Sequence, residues 1–319
     1  MLAILKLVRF QNLLIVAITQ YLMRFAIIRP ILLLINFKLQ LGEFDFFILV
    51  LSTVCLTAAG YVINDYFDTR TDFYNKPDKV IVDRLISRRS AMALHIVLNV
   101  IGVLGGFYVS YKIGHIKFGF IFILITGILW YYSTSYKRQF LIGNLLVALM
   151  TALVPLLVII FEMPLLVNTY ADILIAENTN LNLIIYWILA FSFFAFITTL
   201  IREIIKDTED YEGDSAFGRN TMPILLGINY TKLIVVILCG GTLVSIILIY
   251  LRELQGSPLT FWYLLVTQVL PFIYLIYRII KAKSKKDYHF ASSLMKWIML
   301  GGLLFSLVAA YMFLYTFSK

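Results

Sequence analysis

FDFFILVLSTVCLTAAGYVINDYFDTRTD, residues 44–72, runs from an apolar segment straight into three aspartates, Asp65, Asp68 and Asp72. The apolar part, 44–64, is long enough to cross a bilayer as a helix, because about 20 residues at about 1.5 Å rise span the hydrocarbon core. The acids follow at spacings of three and four, which bring side chains to one face of a helix. Like charges so placed repel, so the pattern calls for something positive at the end of a membrane helix.

The rest of the chain is built in the same way. Of 319 residues, 61% are hydrophobic and 14% charged, with mean hydropathy +0.90. That excludes an ordinary soluble domain. Nine spans are predicted at 10–28, 44–64, 90–111, 117–135, 141–161, 183–205, 231–251, 260–280 and 294–316. Residues 25–41 are also apolar but contain Arg29, Pro30, Asn36 and Lys38, and are read as a re-entrant or interfacial segment. The first apolar run has few charges before it and no small-residue cleavage site, so it is expected to stay as the first span. Cys55 and Cys239 both fall in apolar runs, which implies packing rather than a disulfide.

Lys and Arg set the expected orientation. Of 27, 19 lie at the N-terminus or in the connections after spans 2, 4, 6 and 8. The positive-inside rule puts that side in the cytoplasm, as for a multi-pass protein of the cell (inner) membrane. The net charge of +9 is mostly this bias; no nucleic-acid motif is present, and no obligate protein partner is evident.

The connection after span 6 repeats the opening pattern. It reads REIIKDTEDYEGDSAFGRN, and Asp207, Asp210 and Asp214 stand 142 residues beyond Asp65, Asp68 and Asp72. Two motif-bearing halves of one domain, 1–319, are therefore predicted, of the repeat kind that flanks binding sites in membrane proteins. Two carboxylate faces that meet would suit a hard cation, and Mg²⁺ takes oxygen ligands that it shares with substrate phosphates. Asn64 adds a neutral oxygen. After span 4, Lys137 and Arg138 follow the hydroxyl-rich YYSTSY, and cations of this kind stabilise a leaving diphosphate. Carboxylates, metal, cations and apolar helices together suit a lipid-tailed diphosphate. Departure of an allylic diphosphate leaves a carbocation that aromatic faces stabilise and from which water must be kept.

These motifs resemble the intramembrane UbiA-type prenyltransferase superfamily. NDYFDTRTD is similar to its NDxxDxxxD, DTEDYEGD (207–214) to its DxxDxxxD, and YSTSYKR (132–138) with Gly143 and Asn144 to the segment between them. RFQN (9–12) is similar to its first helix, with Asn12 as the polar residue there. The resemblance implies an all-α bundle of nine transmembrane helices around a central cavity. It implies Mg²⁺ and diphosphate held by Asn64, Asp65, Asp68 and Asp72 from one half and by Asp207, Asp210 and Asp214 from the other. Lys137 and Arg138 would bind diphosphate, and Asp65 or Asp207 would orient the acceptor or take its proton.

Many relatives carry Arg directly after the middle aspartate of the first motif. Here Thr69 stands there, so Arg70 or Lys206 would make that diphosphate contact. Asn12, Lys79, Tyr132 and Asn144 are further expected substrate contacts. The segment NKPDKVIVDRLISRR (75–89) looks most like the branch that prenylates geranylgeranylglyceryl phosphate, and Lys79, Arg84, Arg88 and Arg89 suit an acceptor with a phosphate. The expected substrates are thus an isoprenoid diphosphate, such as geranylgeranyl diphosphate, and a lipophilic acceptor taken from the membrane lipid. An aromatic quinone precursor is the alternative acceptor. A transporter with an acidic cation site is the alternative class, but it would place its charges nearer mid-membrane. Haem O synthesis is disfavoured because His95, His115 and His289 are not paired in sequence.

Overall fold

The structure of the chain is a computed structural model that describes residues 2–75 and 80–315, without the side chains of Arg70, Asp72 and Asn75. Among the described residues there is no strand; the one extended contact is an isolated bridge between Val82 and Ile86. A short helix α1 (Leu2–Leu7) precedes α2 (Phe10–Leu34), α3 (Glu43–Asn75), α4 (Arg88–Lys112) and α5 (Ile116–Thr134). Then come α6 (Ile142–Ala176), α7 (Asn182–Glu209) and two short helices, α8 (Tyr211–Ala216) and α9 (Met222–Leu226). The chain continues with α10 (Ile228–Glu253), α11 (Pro258–Lys281) and α12 (Lys285–Tyr315). Nine helices among the described residues are long and apolar enough to cross a membrane, as predicted.

Two boundaries differ from prediction for identifiable reasons. Residues 25–34 are not re-entrant: α2 continues through them to Leu34 by way of a π-helical turn at Met23–Ile28. Arg24, which is 1% exposed, pairs with the fully buried Glu162 of α6 at 3.0 Å and with Glu43 at 3.2 Å. It also donates to the Leu41 carbonyl, while Glu162 accepts from the backbone N–H groups of Gln40 and Leu41. The arginine is thus neutralised inside the protein, and the polar loop after α2 is tied down by the same carboxylate. The second difference is α6, which runs to Ala176 rather than 161 because Pro155 and Pro164 lie inside it without ending it. Membrane helices tolerate such prolines where neighbours satisfy the freed carbonyls.

The described residues form two compact units. One comprises those in 1–32, 36–137 and 154–188; the other comprises 33–35, 138–153 and 189–315. Each holds one acidic motif. In the first unit, glycines draw α4 close to its neighbours. A Cβ on Gly102 would lie 2.6 Å from Leu56, one on Gly105 2.3 Å from the Ser52 hydroxyl, and one on Gly106 2.3 Å from Phe122. Small residues are how membrane helices, lacking a hydrophobic drive, gain close packing. A second cluster in this unit joins Leu7, Val8, Ala58, Val62, Val82 and Ala91 beneath the first motif. The other unit packs α7, α10, α11 and α12 around Ile201, Ile204, Cys239, Phe272, Ile279 and Met295.

Candidate active site

The first motif lies on the last turns of one unbroken helix, α3. Its face is dressed with cations from elsewhere in the chain. Asp65 Oδ1 accepts from Arg9 Nη2 at 2.8 Å. Asp68 Oδ2 meets Lys137 Nζ at 2.9 Å, with both side chains nearly buried at 8% and 5% exposure. The same ammonium donates to Asn64 Oδ1 at 3.2 Å. Arg9 directly precedes α2, with φ 52°; its guanidinium sits 4.7 Å over the Tyr61 ring, whose hydroxyl accepts from Asn12 at 3.2 Å. On a wheel of 3.6 residues per turn, Lys137 serves the flank with Asn64 and Asp68, and Arg9 serves the middle with Tyr61 and Asp65. The third flank carries Thr69 and Tyr66, and there Arg88 donates to Thr69 Oγ1 at 3.1 Å and lies 4.1 Å over the Tyr66 ring.

Lys137 reaches Asp68 because α5 stops at Thr134 and a tight turn, Tyr136–Arg138, follows. Lys137 is buried in that turn, and Arg138 beside it is exposed. Tyr132 is half-buried one turn earlier. Three expected site residues, Arg70, Asp72 and Lys79, lie outside the described residues or side chains.

The second motif is built differently. Asp207 lies in α7, which ends at Glu209; Asp210 takes φ −95°, ψ 11° at the break, and Asp214 lies in α8. The single-helix face expected from the spacing is therefore interrupted here. Backbone bonds bridge the break, from Asp210 N–H to the Lys206 carbonyl at 2.9 Å and from Asp214 N–H to the Asp210 carbonyl at 3.0 Å. Asp207 Oδ2 accepts from the Asn144 amide at 2.8 Å. Asp214 pairs with Arg219 at 3.2 Å, both largely buried, and Gly218, at φ 64°, turns the chain so that Arg219 returns to it. The Arg138 carbonyl accepts from Asn220 N–H at 2.9 Å. Lys206, expected at the diphosphate, pairs with Glu203 at 3.0 Å, and Arg202 meets the same carboxylate at 2.7 Å. Glu209, inside the motif, faces His289 at 3.1 Å.

The structure thus joins Asn64, Asp68 and Lys137 in one constellation and Asn144 with Asp207 in another. Sequence reasoning missed Arg9, Arg219 and Glu203, and it gave Arg88, expected near an acceptor phosphate, no place on Thr69. Arg9 and Arg219 carry no sequence signal beyond the Lys and Arg bias, and only their placement on a carboxylate or a tyrosine face distinguishes them. Among the described residues, no three Asp, Glu, His or Cys side chains converge on a point that could hold a metal. The donors offered by each motif are nonetheless carboxylate and amide oxygens, the ligand type a hard divalent ion prefers.

Membrane-length helices that end in cation-bound carboxylates define an intramembrane enzyme for a phosphorylated, lipid-tailed substrate. Residues 31–300 match the UbiA prenyltransferase family, and the chain belongs to that family: it is a multi-pass membrane prenyltransferase. It is 30% identical over 251 residues to digeranylgeranylglyceryl phosphate synthase of Methanosphaera stadtmanae, covering 78% of this chain and 82% of that protein. Its fold is similar to that of a solved structure described as digeranylgeranylglyceryl phosphate synthase in membranes, with TM-score 0.62, 23% identity and 97% coverage of both chains. A UbiA homologue from Archaeoglobus fulgidus bound to GPP and Mg²⁺ is also similar, with TM-score 0.57, 14% identity and coverage of 96% of this chain and 99% of that one.

Proposed function

We propose that this chain transfers a geranylgeranyl group from its diphosphate to the free hydroxyl of geranylgeranylglyceryl phosphate, working as one catalytic domain. The observation that carries the reading is Lys137, a nearly buried ammonium on Asp68 and Asn64, in a chain whose relative acts as a digeranylgeranylglyceryl phosphate synthase. The same relative favours a glyceryl phosphate acceptor over an aromatic one.

Asn64, Asp65, Asp68 and Asp72 in the first motif, and Asp207, Asp210 and Asp214 in the second, would hold Mg²⁺. An ion held there would supply positive charge to offset that of the departing diphosphate. Lys137 and Arg138 donate to the diphosphate oxygens as negative charge builds on them. The C1–O bond of the donor breaks, with its electron pair leaving on the diphosphate. The acceptor hydroxyl oxygen forms the new C–O bond, and its proton passes to a motif carboxylate, Asp65 or Asp207. The aromatic and aliphatic helix faces exclude water, which would otherwise capture the allylic cation. The Lys and Arg bias supports an orientation with the N-terminus and both motifs on the cytoplasmic side.

Purified protein is incubated with labelled geranylgeranyl diphosphate, Mg²⁺ and a panel of acceptors, with EDTA controls. The expected result is a metal-dependent ether-linked lipid phosphate. Absence of any metal-dependent prenylated product would sink the reading, and a product only with aromatic acceptors would correct its substrate.

A further inference from the structure

We propose that Arg9 and Arg88 form the subsite for the acceptor's phosphate, separate from the Lys137 flank that meets the diphosphate; this rests on the function proposed above. An acceptor with a phosphomonoester brings a dianion besides the one the donor brings. Both anions need cations, and the transfer needs them kept apart so that only one leaves.

The first motif provides two kinds of cation. Lys137 is nearly buried against Asp68 and Asn64. Arg9 and Arg88 are partly open, with side chains 40% and 43% exposed, yet each is fixed in place. Each guanidinium sits over the ring of a tyrosine of α3, Arg9 at 4.7 Å from the Tyr61 centroid and Arg88 at 4.1 Å from that of Tyr66. Each also donates to a side chain on the next turn of that helix, Asp65 for Arg9 and Thr69 for Arg88. Stacking on a ring orients the planar donor fork, and such a fork matches phosphate oxygens better than a lysine does.

Their mounts are rigid and shared. Leu7 and Val8, just before Arg9, and Val82 and Ala91, on either side of Arg88, pack into one apolar cluster with Ala58 and Val62 of α3. Asp65 and Thr69, the side chains that the two arginines hold, are four residues apart on α3, about 6 Å along the axis and about 40° around it, so both forks are tied to neighbouring positions on one side of the helix. Asp83, 51% exposed, holds Arg88 from the other side at 3.2 Å; it is the group an incoming phosphate would displace.

The test is steady-state kinetics in detergent, with geranylgeranyl diphosphate and Mg²⁺, on the glyceryl phosphate acceptor and on its dephosphorylated alcohol. Arg88→Gln is expected to raise KM for the phosphorylated acceptor, and Arg9→Gln its Kd, at least about tenfold, the weight of a lost charge-assisted hydrogen bond. For Arg88→Gln, KM for the diphosphate should stay within about twofold and the alcohol should react as with wild type; Arg9→Gln also removes the cation from Asp65 and is read by acceptor binding alone. Arg88→Lys should recover part of the loss. Arg252→Gln, at the exposed end of α10, is the charge-matched control, and melting temperature checks folding. A rise in the diphosphate KM instead, or an unchanged acceptor KM, would overturn the assignment. Equilibrium binding of the phosphorylated acceptor without donor separates the two proposals. If no acceptor turns over but Arg88→Gln still abolishes phosphate-dependent binding, the subsite stands and the reaction proposed above does not. Binding that ignores the phosphate overturns the subsite whatever the turnover.

Discussion

The two acidic motifs share their spacing in sequence but not their architecture. The first rides one unbroken helix, and two of its aspartates are met by cations far away in the chain: Asp65 by Arg9, and Asp68 by Lys137. The second straddles the end of α7, and its partners are a neutral amide on Asp207 and, on Asp214, an arginine five residues on. Equal spacing therefore does not mean equal geometry. The first motif depends on tertiary placement of α1 and of the turn after α5, whereas Asp214 depends on the local turn at Gly218. The difference predicts that the motifs fail in different ways.

The largest effect is expected where the comparison predicts no difference. Asp68→Ala and Asp210→Ala should each lower kcat/KM at least about 10³-fold, as expected when a group that binds developing charge is lost. The double variant should lose little more than either single, since groups that act as a unit are non-additive. Independent, additive losses would show that the motifs serve separate events.

A smaller effect should separate them. Lys137→Met breaks the nearly buried pair with Asp68, a loss of about 3–5 kcal/mol, and also removes the diphosphate contact proposed above, so thermal stability and kcat/KM should both fall. Adding Asp68→Asn should restore melting temperature but not activity. Arg219→Met should destabilise in the same direction. Its kcat/KM should drop by less than about tenfold, because Arg219 shapes the turn that carries Asp214 rather than the substrate. Equal catalytic losses in the two variants would place Arg219 among the diphosphate ligands and erase the distinction.

How much of this could be read from the chain follows from the range of each interaction. Span number and the α3 motif helix are local patterns of hydropathy and spacing, and they were legible. The continuation of α2 through Arg29 and Pro30 was not, because the residue that makes Arg24 tolerable, Glu162, is 138 positions away. The break at Asp210 was hidden because a three-and-four spacing is equally compatible with a helix and with a helix end. The pairing of Lys206 with Glu203, one turn back on the same helix, was hidden for a related reason: the acids ahead of it in the motif are equally near in sequence. Arg9 and Arg88 were visible as charges. Which tyrosine each would cover depends on packing among α1, α3 and α4.

The finest test changes one partner into the type that the other motif uses. Asn144→Ala removes a neutral hydrogen bond from Asp207 and should cost about 0.5–1.5 kcal/mol, a several-fold drop in kcat/KM. Asn144→Lys instead gives Asp207 a cation of the kind that Asp68 has. If Asp207 takes the acceptor proton, an ammonium beside it stabilises the carboxylate and opposes proton uptake, so this variant should be slower than Asn144→Ala despite the added hydrogen bond. If Asp207 serves only to hold metal or diphosphate, the lysine should be the better tolerated of the two. Measured as kcat at saturating Mg²⁺, the order of the two variants assigns the proton to the second motif or returns it to Asp65 on the first.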